Sequence, residues 1–167
     1  LVYRVADDHY FMVPNAANID KDWKWMSKIA EEMGLKIGEE FVNESEQWAQ
    51  LAVQGPNALK AMQKLTDANV VDMKYYTFQI ITFAGIENVI FSTTGYTGAG
   101  GCEIYMPAKY AKCVWDAVFE AGKEYGIKPA GLGCRDTLRL EMGFCLYGHE
   151  IDDNISPIEA GLGWITK

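Results

Sequence analysis

The sequence predicts an α+β fold: antiparallel sheets with packed helices, arranged as split β-α-β (ferredoxin-like) units. Three observations carry this. From position 48 onward the apparent order is strand, helix, three strands, helix. Cys102, Ile104 and Met106 alternate with Glu103 and Tyr105, the period of a strand with one apolar face. Tyr110, Cys113, Val114, Ala117, Val118 and Ala121 recur at helical spacing.

Taken in order, residues 1–5 and 10–13 are β-prone and joined across Ala6-Asp7-Asp8-His9, which reads as a hairpin. Asp20 is placed to cap a helix through Trp23, Met26, Ala30 and Met33, with Gly34 as its stop. The polar, acidic stretch 35–47 suits a connection or a domain crossing. A strand over 48–54 ends at Gly55-Pro56, and the proline suits a first helical turn, where its missing N–H is not needed. Leu59, Met62 and Leu65 give the following helix its buried face. Residues 75–83 and 89–92 are further strands separated by a turn over 84–88, and 102–106 is another. The helix over 109–121 is expected to stop at Gly122. A short helix over 135–142 ends at Gly143, and the tail alternates apolar pieces with glycine and proline. No internal repeat is evident.

A chain of 167 residues makes one ordinary domain or two small ones, and 49% hydrophobic with 23% charged residues is a globular composition. The net charge of −8 weighs against a nucleic-acid partner, which needs a basic face. No apolar run approaches the roughly 18 residues of a membrane span, and nothing at the start reads as a signal peptide. Cysteines at 102, 113, 134 and 145 form no C-x-x-C pair and both histidines are isolated, so no metal site is expected. A reducing, cytoplasmic setting follows most simply (the mitochondrial matrix in a eukaryote). The chain opens at Leu1 inside a strand-like run, with no methionine, and is expected to be a piece of a longer polypeptide.

The glycine-rich run "GYTGAGGCE" raises two readings. As a phosphate cradle it fails: no lysine follows the glycines, Glu103 would repel a pyrophosphate, and a strand follows where a helix N-terminus is wanted. As a tight turn it succeeds, since glycine permits the sharp reversal that delivers Tyr96 and Glu103. Glu103 is then either the solvated side of its strand or a pocket carboxylate. A pocket carboxylate accepts two parallel N–H donors, the pair presented by pterins and guanines, each contact contributing about 1.5–3 kcal/mol. Tyr96 supplies an aromatic wall or a hydroxyl. Arg135, at a loop-helix junction, either caps the loop while Asp136 pairs with a neighbour, or binds a carboxylate bidentately. Asn15 reads first as a turn residue and second as a ligand amide. Two isolated histidines make no nucleophilic triad.

Together "VPNAANIDKDWKWM", "LAVQGPNAL", "GYTGAGGCEI", "PAGLGCRDTLRLEMGFCLYGHEID" and "SPIEAGLGW" resemble, in order along essentially the whole chain, the aminomethyltransferase (T-protein) of the glycine cleavage system. The resemblance implies a folate-binding T-protein type of fold. It also implies transfer of an aminomethyl group from the lipoyl arm of the H-protein to tetrahydrofolate, with release of ammonia. It places Asn15, Tyr96, Glu103 and Arg135 in the folate site. The family's catalytic aspartate belongs to a "DDL" motif matching the point just before Leu1, so no catalytic residue is assigned and the chain alone is expected to be inactive. Residues 40–128 are expected to form most of one α/β domain, with 1–39 and 129–167 pairing to build a second. The family's acidic pair in "GYTGEDG" is here Ala99-Gly100, with a small effect expected because Tyr96 and Glu103 keep their separation. Two related readings remain: a folate-binding module of a dimethylglycine or sarcosine dehydrogenase, or a non-catalytic interaction domain of the same fold. The latter group carries a K-G-C-[YF]-x-G-Q-E signature that this chain lacks.

Overall fold

The computed structural model describes residues 1–166. Contacts divide the chain into a central unit, residues 44–144, and a flanking unit made of residues 1–43 with those from Cys145 onward.

In the flanking unit, strands β1 (Val2–Arg4) and β2 (Tyr10–Met12) form an antiparallel hairpin with Tyr3 opposite Phe11. Helix α1 (Ile19–Glu32) starts one residue before the expected Asp20 cap. Asp20 and Asp22 lie in its first turn, where they suit the helix dipole. Trp23 stacks on Phe41 with ring centroids 5.0 Å apart. Lys21 pairs with Asp153 and sits 5.1 Å from the Tyr147 ring centre. The hydrogen bond to Asp153 holds this lysine above its ordinary value.

The central unit is built on β3 (Trp48–Gln54), α2 (Ala58–Met62), β4 (Phe78–Phe83), β5 (Ile86–Ser92), β6 (Gly101–Pro107), α3 (Ala111–Gly122) and α4 (Leu132–Glu141). Its sheet has the order β3-β6-β5-β4, with every neighbouring pair antiparallel. The four strands and their helices give the expected α+β class. The expected split β-α-β detail does not hold, because β3 and β4, joined by α2, lie at opposite edges and run in opposite senses. A tight β4–β5 hairpin takes β4 outward, and β6 enters between β5 and β3.

One face of the sheet carries Val53, Val89, Phe91, Cys102, Ile104 and Met106 into a core closed by Met62, Val114 and Val118. Cys102, Ile104 and Met106 are fully buried, as the alternation in β6 predicts. Two boundaries differ from the sequence expectation. Strand β4 begins at Phe78, not Tyr75, because Tyr76 adopts φ 65°. The β4–β5 turn is only Ala84-Gly85, both at positive φ, as a two-residue primed turn requires. Helix α3 does end at Gly122, but the chain goes on as a 3-10 turn to Gly126 at φ 71°, and Gly122 is small because Ile127 packs against it. Helix α4 also starts earlier than expected, at Leu132. It stays with the central unit, which moves the second boundary away from the expected 128/129.

Helices α1 and α4 end alike. After Glu32-Met33, Gly34 adopts φ 84°, its N–H bonds to Glu31 O and that of Leu35 to Ala30 O. After Glu141-Met142, Gly143 adopts φ 71°, its N–H bonds to Leu140 O and that of Phe144 to Arg139 O. Both are full Schellman stops. Each is followed by the same knuckle. Gly38 N–H donates to Phe41 O, and Lys36 N–H to the Glu40 carboxylate at 2.9 Å. Gly148 N–H donates to Ile151 O, and Leu146 N–H to the Glu150 carboxylate at 2.9 Å. In the sequence the two places share Glu-Met-Gly and a later Gly-x-Glu, but with spacings that differ by one residue. No helix among the described residues is long and apolar enough to cross a membrane.

Candidate ligand-binding site

Strand β6 leaves the glycine-rich turn and presents Glu103 on the sheet face away from the core. Ala52 on β3 and Ser92 on β5 are its cross-strand neighbours. The carboxylate is half-buried and held from two sides. Oε1 accepts from Gln50 Nε2 at 2.7 Å, and Oε2 accepts from the Thr94 hydroxyl and, at 3.4 Å, from the Tyr105 hydroxyl. The second hydrogen of the Gln50 amide reaches Tyr105 Oη at 3.3 Å. Since Thr94 gives its one hydrogen to Glu103, the 3.0 Å contact between Ser92 and Thr94 runs from Ser92 to Thr94. All these donors converge on one anion, and Ser92 and Thr94 are themselves buried.

The turn that feeds β6 is tied to β3 by Gln54, whose Nε2 donates to Thr94 O at 3.2 Å and Cys102 O at 2.9 Å. Gly101 cannot carry a side chain: at φ 133° a Cβ would lie 2.4 Å from Val53 O. The glycines therefore serve close backbone approach, and the turn runs into a strand.

Tyr96, in this turn, stacks on Phe144 with centroids 5.8 Å apart and planes 22° apart. The Arg135 guanidinium carbon lies 4.9 Å from the same ring centre, a cation–π distance. Arg135 sits in the first turn of α4, where its N–H closes the first helical bond to Gly131 O at 3.2 Å. Met142 fills the space beside Gly98, where a Cβ would stand 2.6 Å from it. Phe144 is fixed from Arg139, which is only 3% exposed. Arg139 grips Asp136 through Nε at 2.8 Å and Nη2 at 2.7 Å, and its Nη1 donates to Phe144 O at 3.1 Å.

The four site residues named from the sequence thus fall in different settings. Tyr96 and Arg135 are in contact. Glu103 is linked to their turn through Thr94. Asn15 belongs to the flanking unit, where its Oδ1 accepts from Ala17 N at 3.0 Å and caps a 3-10 turn, the local role read first from sequence. The pairing of Asp136 is with Arg139. Gln50, Thr94, Arg139 and Phe144 enter only with the structure. For these, the sequence holds one signal, the Asp136–Arg139 spacing of three on one helix. Burial, and then the Glu103 charge, push the Cys102 thiol above its ordinary value, so it is not a nucleophile. Among the described residues no group of histidines, cysteines and carboxylates is arranged to hold a metal ion.

This α+β chain, with a tethered carboxylate on the open sheet face, matches the fold of a known transferase. It superposes on the crystal structure of the glycine cleavage system aminomethyltransferase T from Bartonella henselae with a TM-score of 0.76 at 28% identity, covering 98% of this chain and 41% of that one. The model of the GCVT N-terminal domain matches residues 1–167, and the chain belongs to that family. It is 60% identical over 167 residues to the aminomethyltransferase of Bacteroides fragilis and 59% identical to that of Porphyromonas gingivalis. These matches take in 100% of this chain but 45% of the length of each relative.

Proposed function

We propose that the chain contributes the folate-gripping part of a cytoplasmic, tetrahydrofolate-dependent aminomethyltransferase. That enzyme takes the aminomethyl group from the lipoyl arm of the H-protein, passes it to tetrahydrofolate and releases ammonia, as part of glycine cleavage. The observation that carries this reading is the Glu103 carboxylate, half-buried and aimed by Gln50 and Thr94. A carboxylate has about four lone-pair positions, and the described contacts on Glu103 fill three, one of them long. One position is open, and the 3.4 Å contact from Tyr105 yields to a stronger donor, so the carboxylate can take a flat heterocycle with two parallel N–H donors, the edge of a reduced pterin.

Tyr96 and Arg135 complete the grip on this reading. Arg135 supplies a fixed cation for the anionic part of the folate, and Tyr96 supplies an apolar wall beside it. Asn15 is proposed as a fourth contact, through the part of its amide not used in capping. Tetrahydrofolate supplies the nucleophilic nitrogen that accepts the one-carbon unit; the residues named here bind and orient it. The acid–base group of the transfer is not assigned to any residue of this chain. Kinship with aminomethyltransferases at 60% identity supports the transferase over an oxidase-linked folate module or an interaction domain.

Glu103→Ala in the complete protein tests the reading. Tetrahydrofolate affinity measured by calorimetry is expected to fall by about 1.5–3 kcal/mol, the worth of a hydrogen bond to a charged group. Unchanged affinity would leave Glu103 as a strand residue without a ligand role.

A further inference from the structure

We propose that Gln50 and Thr94 are positioning residues that set which edge of the ligand Glu103 accepts. The inference rests on the folate reading above and adds a division of labour within it. A glutamate side chain has three soft torsions, and a half-exposed one samples several rotamers. Here the last torsion is fixed, because each oxygen has its own contact: Gln50 on Oε1 at 2.7 Å and the Thr94 hydroxyl on Oε2.

The two anchors come from opposite sides. Gln50 stands on β3, directly across from Tyr105, while Thr94 follows the end of β5. Each anchor is held in turn. The Gln50 amide also reaches Tyr105 Oη, and Thr94 receives the Ser92 hydroxyl. Thr94 is buried, so its hydroxyl has a settled direction. Of the three contacts, the 3.4 Å one from Tyr105 is the weakest and is the one displaced when a ligand N–H approaches Oε2. Oε1 carries a single described donor and takes the second N–H beside it. Gln50 and Thr94 thus orient the carboxylate without touching the ligand, and Ala52, opposite Glu103, leaves the approach clear of a large side chain.

The test compares two ligands on the complete protein by calorimetry: tetrahydrofolate, and its analogue with the 2-amino group replaced by methyl, which lacks one of the two donors. Thr94→Val and Gln50→Leu are each expected to weaken tetrahydrofolate binding about tenfold, the scale of one charged hydrogen bond. Both are expected to leave the analogue's affinity nearly unchanged, so that discrimination between the ligands collapses. Thr94→Ser keeps the hydroxyl and is expected to restore it. Equal loss for both ligands in Thr94→Val and Gln50→Leu would mean a general structural role and overturn the proposal. So would wild-type discrimination in both variants while Glu103→Ala loses it, and in that case the folate reading survives. If Glu103→Ala itself keeps full affinity and discrimination, both statements fall.

Discussion

Helices α1 and α4 leave by one backbone device and put it to different uses. Each closes with glutamate, methionine and a left-handed glycine, and each is followed by a glycine knuckle whose glutamate caps an N–H four residues back. What differs is the residue whose carbonyl receives the final bond. In α1 it is Ala30, buried and inert. In α4 it is Arg139, equally buried, with Asp136 one turn earlier and Phe144 held by both its N–H and its C=O. The position matching Asp136 in α1 is Ser27, whose buried hydroxyl finds no hydrogen-bond partner among the described residues. A helix stop that merely ends α1 has, in α4, been fitted with a charge pair that locates an aromatic ring against Tyr96. The backbone supplies the geometry in both; two side chains decide whether it serves a site.

Arg139→Leu should break the comparison most severely. Removing the buried guanidinium leaves Asp136 and Phe144 O without their donor and is expected to cost about 2–4 kcal/mol in urea unfolding. Tetrahydrofolate affinity should drop with it, because Phe144 and hence Tyr96 lose their support; intact binding would show that the Tyr96 ring does not depend on α4.

Next come the paired stops, Gly34→Ala and Gly143→Ala. A Cβ on either glycine would meet nothing within 4 Å, so the cost in each is the positive φ alone, about 1–2 kcal/mol. Equal stability losses with unequal ligand binding, impaired only in Gly143→Ala, would confirm that one stop is structural and the other positions the site. Equal binding in both would erase that distinction. The smallest effect is expected at Ser27→Ala, which removes an unpartnered hydroxyl and should raise stability by up to about 1 kcal/mol, seen as a higher urea midpoint at constant slope. A loss instead would mean that the hydroxyl is satisfied in solution.

Local periodicity made much of the fold legible. The alternation in β6 and the stripe of α3 are short-range signals, and both elements stand where they suggest. Glycine has two uses, and the sequence showed only one at Gly122: α3 ends there as read, but the residue is small to admit Ile127, and the left-handed turn falls at Gly126. The two-residue turn at Ala84-Gly85 was hidden because alanine seldom adopts φ 50°. The recurrence at the helix ends was hidden by an offset: Gly38 follows Gly34 by four positions, whereas Gly148 follows Gly143 by five. At the site, the side of β6 on which Glu103 stands could be read from period two. Its anchors could not, since Gln50 lies 53 residues away and meets it only through the β3–β6 register. Arg139 looked like any polar residue of a short helix until its burial was known.

The directed chain of hydroxyls from Ser92 through Thr94 to Glu103 has a statistical consequence. Hydroxyl networks often possess two equivalent hydrogen orders, clockwise and anticlockwise, between which they fluctuate. Here the anion at one end removes that degeneracy, because Thr94 must point at Glu103 and Ser92 must point at Thr94. A ligand arriving at Glu103 meets an array with a single hydrogen order, and no configurational disorder is left there for binding to quench.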